Sequence, residues 1–560
     1  MHRYLCLVAV ALLALGSCGQ KKTETVAEEV KTPFVWENAN VYFMLTDRFN
    51  NGDKTNDVNF GRTAKTGLLR GFEGGDIKGI TTKVKEGYFD KLGVSAIWMT
   101  PLVEQVHGNV DEGTGATYGY HGYWAKDWTA LDPNFGTEAD LDELVKEAHA
   151  RGIRVLLDVV INHTGPVTDV DPVWSTDWVR ETPHCGYSDY ESTVSCTLVE
   201  NLPDVFTANK TEAVELPATL LEKWKKEGRL EQELKSLDEF FARTGLPRAP
   251  RYYHIKWLTD YIRKYGVDGF RVDTAKHTEA DLWEDLKKES DVAFADWKKA
   301  NPTSVLDNNE FYMVGEVYGY GISGMRNYHY SDSVVDFFDN GFKSLINFEF
   351  KYDAQKQSYE EIFKKYSDAL NGELKGKSVM NYLTSHDDGQ PFDQDRSKAI
   401  ESATKLLLTP GASQVYYGDE SSRNLVIEGT VGDATLRSFM NWEEIQANAE
   451  RGGHKVQDVM THWSKLGNFR KENPAVGAGM HKMLSEQPYI FSREYAKGDY
   501  SNKVLVALDV EKGKKIIPVH GVFAEGQKVK DSYSGKTATV RNGKVSLDTQ
   551  DTIVLLSKGK

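Results

Sequence analysis

Gly269-Phe-Arg271-Val-Asp273-Thr-Ala-Lys276-His277 is a short apolar run that ends in charge. Its first residues read as a buried strand, and the charged residues that follow would stand at the strand's C-terminal rim. Three further stretches share this form: Asp158-Val-Val-Ile-Asn162-His163, Gly315-Glu316-Val317 and Ser385-His386-Asp387. Each closes a run of β-branched and aromatic residues, so Asp273, Glu316 and Asp387 would project from one rim of a parallel sheet. In α/β barrels that rim carries the chemistry.

Working outward, strand-like runs followed by amphipathic segments occur eight times, at 40–49, 94–101, 154–163, 269–277, 311–318, 333–339, 379–387 and 412–420. Eight βα units make a closed (β/α)8 TIM barrel the economical fold. Between the second and third, Thr137-Glu-Ala-Asp140 reads as a capping box. After it Leu141, Leu144, Val145 and Ala148 share one helical face until Gly152. Leu258, Tyr261, Ile262 and Tyr265 form a second stripe that stops at Gly266, just ahead of the strand carrying Asp273.

The 164–251 stretch is too long for a βα loop and is expected to be a subdomain inserted after strand 3. Its charged part, 217–243, reads as a solvated helix pair. The barrel would then occupy 36–163 and 252–470. Beyond it, 471–560 contains short alternating runs such as Val504-Leu-Val-Ala-Leu508, the pattern of an all-β sandwich domain.

The 560 residues include 68 Lys and Arg against 83 Asp and Glu, a formal charge of −15. With no long basic run, nucleic acid and anionic membrane surfaces are poor partners and a neutral substrate suits the chain. At the N-terminus Arg3 precedes an apolar run, 5–15, that is too short to span a bilayer. It reads as a signal peptide, 1–17. The ending Leu15-Gly-Ser-Cys18 resembles a bacterial lipoprotein processing box, which would leave Cys18 lipidated and residues 18–35 as a polar tether. An ordinary cleaved signal with a chance cysteine is the alternative. Gly19 leans toward the outer membrane, so export to the periplasm or outer membrane is expected, with the lipid anchor as the one membrane contact.

Removal of Cys6 and lipidation of Cys18 would leave Cys185 and Cys196. In an oxidising compartment they are expected to pair as a disulfide, against the alternative of two buried thiols.

The order and residues of the four motifs resemble those of the α-amylase family of glycoside hydrolases, a clan of retaining α-glucan enzymes. Tyr120-His-Gly-Tyr123-Trp124, Asn201-Leu-Pro-Asp204 and Tyr417-Gly-Asp-Glu-Ser-Ser-Arg423 are most similar to the bacterial periplasmic members. Ser385 departs from the pattern, standing where many members carry Asn.

The resemblance implies that Asp273 is the nucleophile, Glu316 the general acid and base, and Asp387 the residue that binds hydroxyls of the distorted sugar. His163 and His386 would donate to the same ring, Tyr123 would stack, and His121 would add a polar contact. Lys276 and His277 would lie on the leaving-group side. Arg271, two residues before Asp273 on one strand, would point the same way and keep Asp273 ionised. Apolar neighbours would raise the pKa of Glu316.

Two calcium sites are implied. Asn162, Asp204 and the backbone carbonyl of His277 match a family site joining barrel to insertion. Asn51, Asp53, Asn56 and Asp57, with Gly74 and Asp76, resemble a loop site of cyclodextrin-forming members, although such Asx-rich turns also close by themselves.

A serine-hydrolase triad at 385–387 is set aside because triad members must converge in space and these are chain neighbours. The expected protein is a lipid-anchored, monomeric α-amylase acting on α-glucan polysaccharides or maltooligosaccharides. Cyclodextrin-forming members usually carry further domains, so transglycosylation ranks second and an inactive glucan-binding protein third.

Overall fold

In the computed structural model, which describes residues 32–559, eight parallel strands close into one barrel. They are β1 (Asn40–Met44), β2 (Ala96–Met99), β3 (Arg154–Val159), β4 (Gly269–Val272), β5 (Tyr312–Gly315), β6 (Ser344–Asn347), β7 (Ser378–Tyr382) and β8 (Ala412–Tyr416). Each pairs with the next, and β8 returns to β1. The strands are buried throughout, as parallel strands covered by helices on the outside must be. The signal peptide, Cys18 and the tether as far as residue 31 lie outside the described residues.

Seven of the expected runs contain a barrel strand and the sixth does not. Val334–Val335, in the 333–339 run, pairs antiparallel with Tyr328–His329 as a small hairpin. The true sixth strand is Ser344-Leu-Ile-Asn347, which has only two apolar residues. Tertiary context overrides propensity here: Asn347 Nδ2 donates to Asn381 Oδ1 (2.8 Å) and Tyr366 Oη (3.1 Å), so its amide is satisfied in the interior.

The helix Glu138–Ala150 starts at the Thr137–Asp140 capping box. The helix Pro250–Tyr265 stops at Gly266, whose φ of 73° is left-handed. A Cβ at Gly266 would fall 1.9 Å from the Trp297 ring, so the turn into β4 demands glycine twice over.

The insertion after β3 carries the helix pair Ala218–Lys226 and Leu230–Thr244 and the Cys185–Cys196 disulfide. At the C-terminus a six-stranded sheet faces the pair Gly513–Pro518 and Lys544–Thr549. Leu505, Val529, Val545 and Leu547 lie buried between them, a β-sandwich core. Among the described residues no helix is long and apolar enough to cross a membrane.

Candidate active site

Asp273 directly follows β4 and Glu316 directly follows β5. The β4–β5 register pairs Val272 with Gly315, so the two carboxylates leave adjacent strands at the same height. Arg271 lies beneath both. Its Nη1 is 2.7 Å from Asp273 Oδ1 and 3.0 Å from Asp158 Oδ1, and its Nη2 is 3.0 Å from Glu316 Oε2. Asp158, paired with Arg271 in the β3–β4 register, also accepts from Tyr123 Oη (2.8 Å) and Trp98 Nε1 (3.0 Å).

Asp273 and Glu316 floor a cleft of about 570 Å³, within the size range of small-molecule sites. Tyr123, His163, Asp273, Lys276, His277, Glu316, His386 and Asp387 all line it. His121 does not; it is buried behind Tyr123, accepting from the Tyr123 amide at Nδ1 (3.1 Å). Arg271 likewise acts from below.

Burial divides the two catalytic candidates electrostatically. It pushes Glu316 up to about 8, helped by the charges of Asp273 and Asp387 and opposed by Arg271. It pushes Asp273 up to about 6, against the pull of Arg271 and with the help of Asp158. Arg271 therefore favours the Asp273 carboxylate as expected, but desolvation outweighs it. Desolvation also works against the charge of Asp387, yet His386, Ser385, Arg271 and Arg437 together hold its carboxyl below the usual range.

The histidines are neutral at pH 7, because burial pushes His163, His277 and His386 down to about 4. Each thus has one N–H to give. In the Nε2-protonated tautomer that of His163 is given to the Tyr123 carbonyl, 3.2 Å away. His386 stacks on Tyr123 (centroids 5.3 Å, 17° between planes), and its buried Nδ1 has no protein partner.

The sequence reading assigned no role to Arg437, Tyr187 or Tyr318, all of which line the cleft. Asp158, which pairs with Arg271, is marked in the sequence only as the first residue of its motif. No local pattern marks Arg437, which arrives from a 3-10 turn beyond β8.

A family model described as "Alpha amylase, catalytic domain" matches residues 43–479. The chain belongs to the α-amylase family. It is a glycoside hydrolase of the α-amylase type. Periplasmic α-amylase of Escherichia coli (strain K12) is 35% identical over 563 residues, covering 88% of this chain and 75% of that protein. An α-amylase of Streptomyces lividans is 26% identical, covering 87% and 57%, and a cyclomaltodextrin glucanotransferase of Bacillus sp. (strain 6.6.3) is 25% identical, covering 82% and 57%. The solved α-amylase of Geobacillus thermoleovorans, complexed with acarbose, superposes with a TM-score of 0.64 at 21% identity, covering 94% of this chain and all of that one.

The α-amylase family implies calcium, and the residues fit it unequally. Asp204 is 1% exposed, its Oδ2 lacks a hydrogen-bond partner, and Arg180 Nε lies 2.7 Å away but misaligned. Burial pushes this carboxyl up to about 8 despite Arg180. Asn162 Nδ2 stands 2.9 Å from Asp204 Oδ1 and 3.0 Å from the His277 carbonyl, while its Oδ1 faces His163 Nδ1 at 3.3 Å. Neutral His163 protonated at Nε2 needs a donor at Nδ1. Turning the Asn162 amide over supplies that donor and brings three oxygens together, an arrangement that a hard cation stabilises.

At the loop site, Asn51 Oδ1 and Asn56 Oδ1 are buried without partners beside Asp57. Gly74 packs so closely there that a Cβ would fall 2.5 Å from Asn51 Nδ2. Asp53 and Asp76 have other partners. Asp53 pairs with Lys78 (2.6 Å), and Asp76 caps the helix Ile77–Lys85 through Gly79 N (2.6 Å) while accepting from Asp53 N (2.7 Å).

Proposed function

We propose that this enzyme hydrolyses internal α-1,4-glucosidic bonds of starch or maltodextrins with retention of configuration. The carrying observation is that Asp273 and Glu316 grip one guanidinium from adjacent strands while their ordinary pKa order is spread apart. Carboxyls at the ends of adjacent strands, one ionised and one protonated at pH 7, suit the nucleophile and the acid of a retaining double displacement.

In this reading Asp273, ionised at neutral pH and steadied by Arg271, attacks the anomeric carbon. Glu316, still protonated, gives its proton to the departing glycosidic oxygen. The resulting Glu316 carboxylate then takes a proton from water, whose oxygen displaces Asp273 and restores both groups. Asp387 and His386 would bind hydroxyls of the distorted ring, with more energy in the transition state than in the ground state. His163 holds Tyr123, and Lys276 and His277 face the leaving group.

Calcium would be held by Asn162, Asp204 and the His277 carbonyl, and at the loop site by Asn51, Asn56 and Asp57. When bound it would supply charge balance for Asp204 and a clasp between insertion and barrel.

Export and anchoring at Cys18 complete the reading. Export is supported by the periplasmic relative and by the disulfide, which suits an oxidising compartment, and anchoring rests on the Leu15-Gly-Ser-Cys18 stretch. Cys18→Ala should move the protein from membranes to the soluble exported fraction with its specific activity intact.

Products released over time from maltoheptaose and soluble starch test the function. Rapid fall in starch chain length with α-configured linear products supports it. Similarity to glucanotransferases keeps one rival in view, and cyclic products as the main early species would favour that rival.

A further inference from the structure

Asp387 is held differently from the other two carboxylates. The Asp273 amide donates to the Val159 carbonyl (3.0 Å) and the Glu316 amide to the Val272 carbonyl (2.9 Å), so the barrel's own ladder fixes both. Asp387 lies five residues past Tyr382, the end of β7, and its amide has only Ser385 Oγ, at 3.5 Å.

Side chains take over the task of the ladder. Ser385 Oγ donates to Asp387 Oδ1 (2.8 Å), and Arg437 Nε donates to the His386 carbonyl (2.9 Å). On the other flank Asp388 Oδ2 accepts from Tyr382 Oη (2.9 Å) and from Lys351 Nζ, and Asp388 Oδ1 accepts from the Gln390 amide (3.1 Å). Lys351 is 3% exposed and comes from the helix Phe350–Lys356, in the preceding βα unit. A buried ammonium is costly unless paired, and Asp388 supplies the pairing carboxylate.

We infer that Lys351 is a positioning residue for the reaction: through Asp388 it holds the loop that presents Asp387 to the sugar. The inference rests on the role proposed above for Asp387. Displacement of a group that binds best in the transition state lowers turnover more than substrate affinity.

Lys351→Met and Asp388→Asn, made separately in the full chain, test it with rates per folded enzyme. Turnover on maltoheptaose should fall about 10- to 100-fold with KM little changed, the loss that a misplacement of about 1 Å produces. Inhibition by acarbose should weaken in step, and Lys351→Arg should restore most of the rate. In an Asp387→Asn background Lys351→Met should cost little more, since the two act through one group. Wild-type turnover in both single variants, a loss confined to KM or to folded yield, or a full additional loss in the Asp387→Asn background would overturn the inference. Full activity of Asp387→Asn alone would instead remove the functional reading beneath it.

Discussion

The backbone amide of Thr274 donates a 2.9 Å hydrogen bond to Oε2 of Glu316. Thr274 follows Asp273 and has a left-handed backbone, φ 47° and ψ 35°, which is strained for a β-branched residue by about 1–3 kcal/mol. The strained turn aims an N–H at the neighbouring carboxylate. One bend of chain therefore positions both candidate catalytic groups.

Asp273→Asn and Glu316→Gln should each lower turnover by roughly three orders of magnitude or more with the fold intact, since nucleophilic and proton-transfer contributions are both large. Circular dichroism gives the folding control. For Glu316→Gln, an α-glucosyl fluoride should recover part of the first step because fluoride leaves with little protonation. Near-normal starch hydrolysis by either pure variant would remove the assignment.

The rate should follow a bell against pH. Asp273 works ionised and its pKa is about 6, so activity falls below that; Glu316 works protonated and its pKa is about 8, so activity falls above that. The two limbs report the coupled pair rather than single residues.

Glu316 also links stability to pH. Its folded pKa lies above the ordinary 4.5, so its contribution is full below about 4.5 and is lost as pH rises through about 8. Glu316→Gln should melt above wild type at pH 9 and close to it at pH 4. Equal melting temperatures at both pH values would show that the carboxyl is not buried as described.

Calcium should act on stability. A metal that binds the folded state alone contributes about 2.7 kcal/mol at 100 times its Kd, so the melting temperature should rise with free calcium and fall in chelator. Asp204→Ala should blunt that response more than Asp53→Ala or Asp57→Ala, because Asp204, on the insertion, meets Asn162 of the barrel, whose amide also reaches the His277 carbonyl. A flat wild-type melting series with no bound metal by elemental analysis would exclude calcium.

The Cys185–Cys196 bridge closes a loop of 11 positions, for which chain entropy suggests a stabilisation of about 3 kcal/mol. The Thr193 carbonyl within that loop faces His277 Nδ1 at 3.2 Å. Replacing both cysteines by serine should speed proteolysis within 185–196 and lower activity modestly through His277. Unchanged cleavage would show that the loop is held by its other contacts.

The barrel was legible because a strand covered on both faces must be apolar along its length, as β2 is at Ala96-Ile-Trp-Met99. β6 escaped notice for the converse reason: it begins and ends on polar residues, and the burial of Asn347 is made tolerable by Tyr366 and Asn381, far along the chain. The capping box at Thr137 and the stop at Gly266 were legible because they are settled within four residues.

The sequence alone determined seven of the eight barrel strands, the three carboxylates and the cysteine pair, each written in local periodicity, motif order or cysteine count. Only the tertiary structure decided that Arg271 serves Asp273, Glu316 and Asp158 together, that burial overrides its pull on Asp273, and that His163 lies against the Tyr123 carbonyl. It alone revealed Lys351 and Arg437 behind Asp387, and the commitment of Asp53 and Asp76 to other partners. The physical reason is one of range. Strand and helix patterns follow from neighbours along the chain, whereas desolvation, charge pairing and hydrogen-bond supply depend on which distant groups the closed barrel brings within a few ångströms.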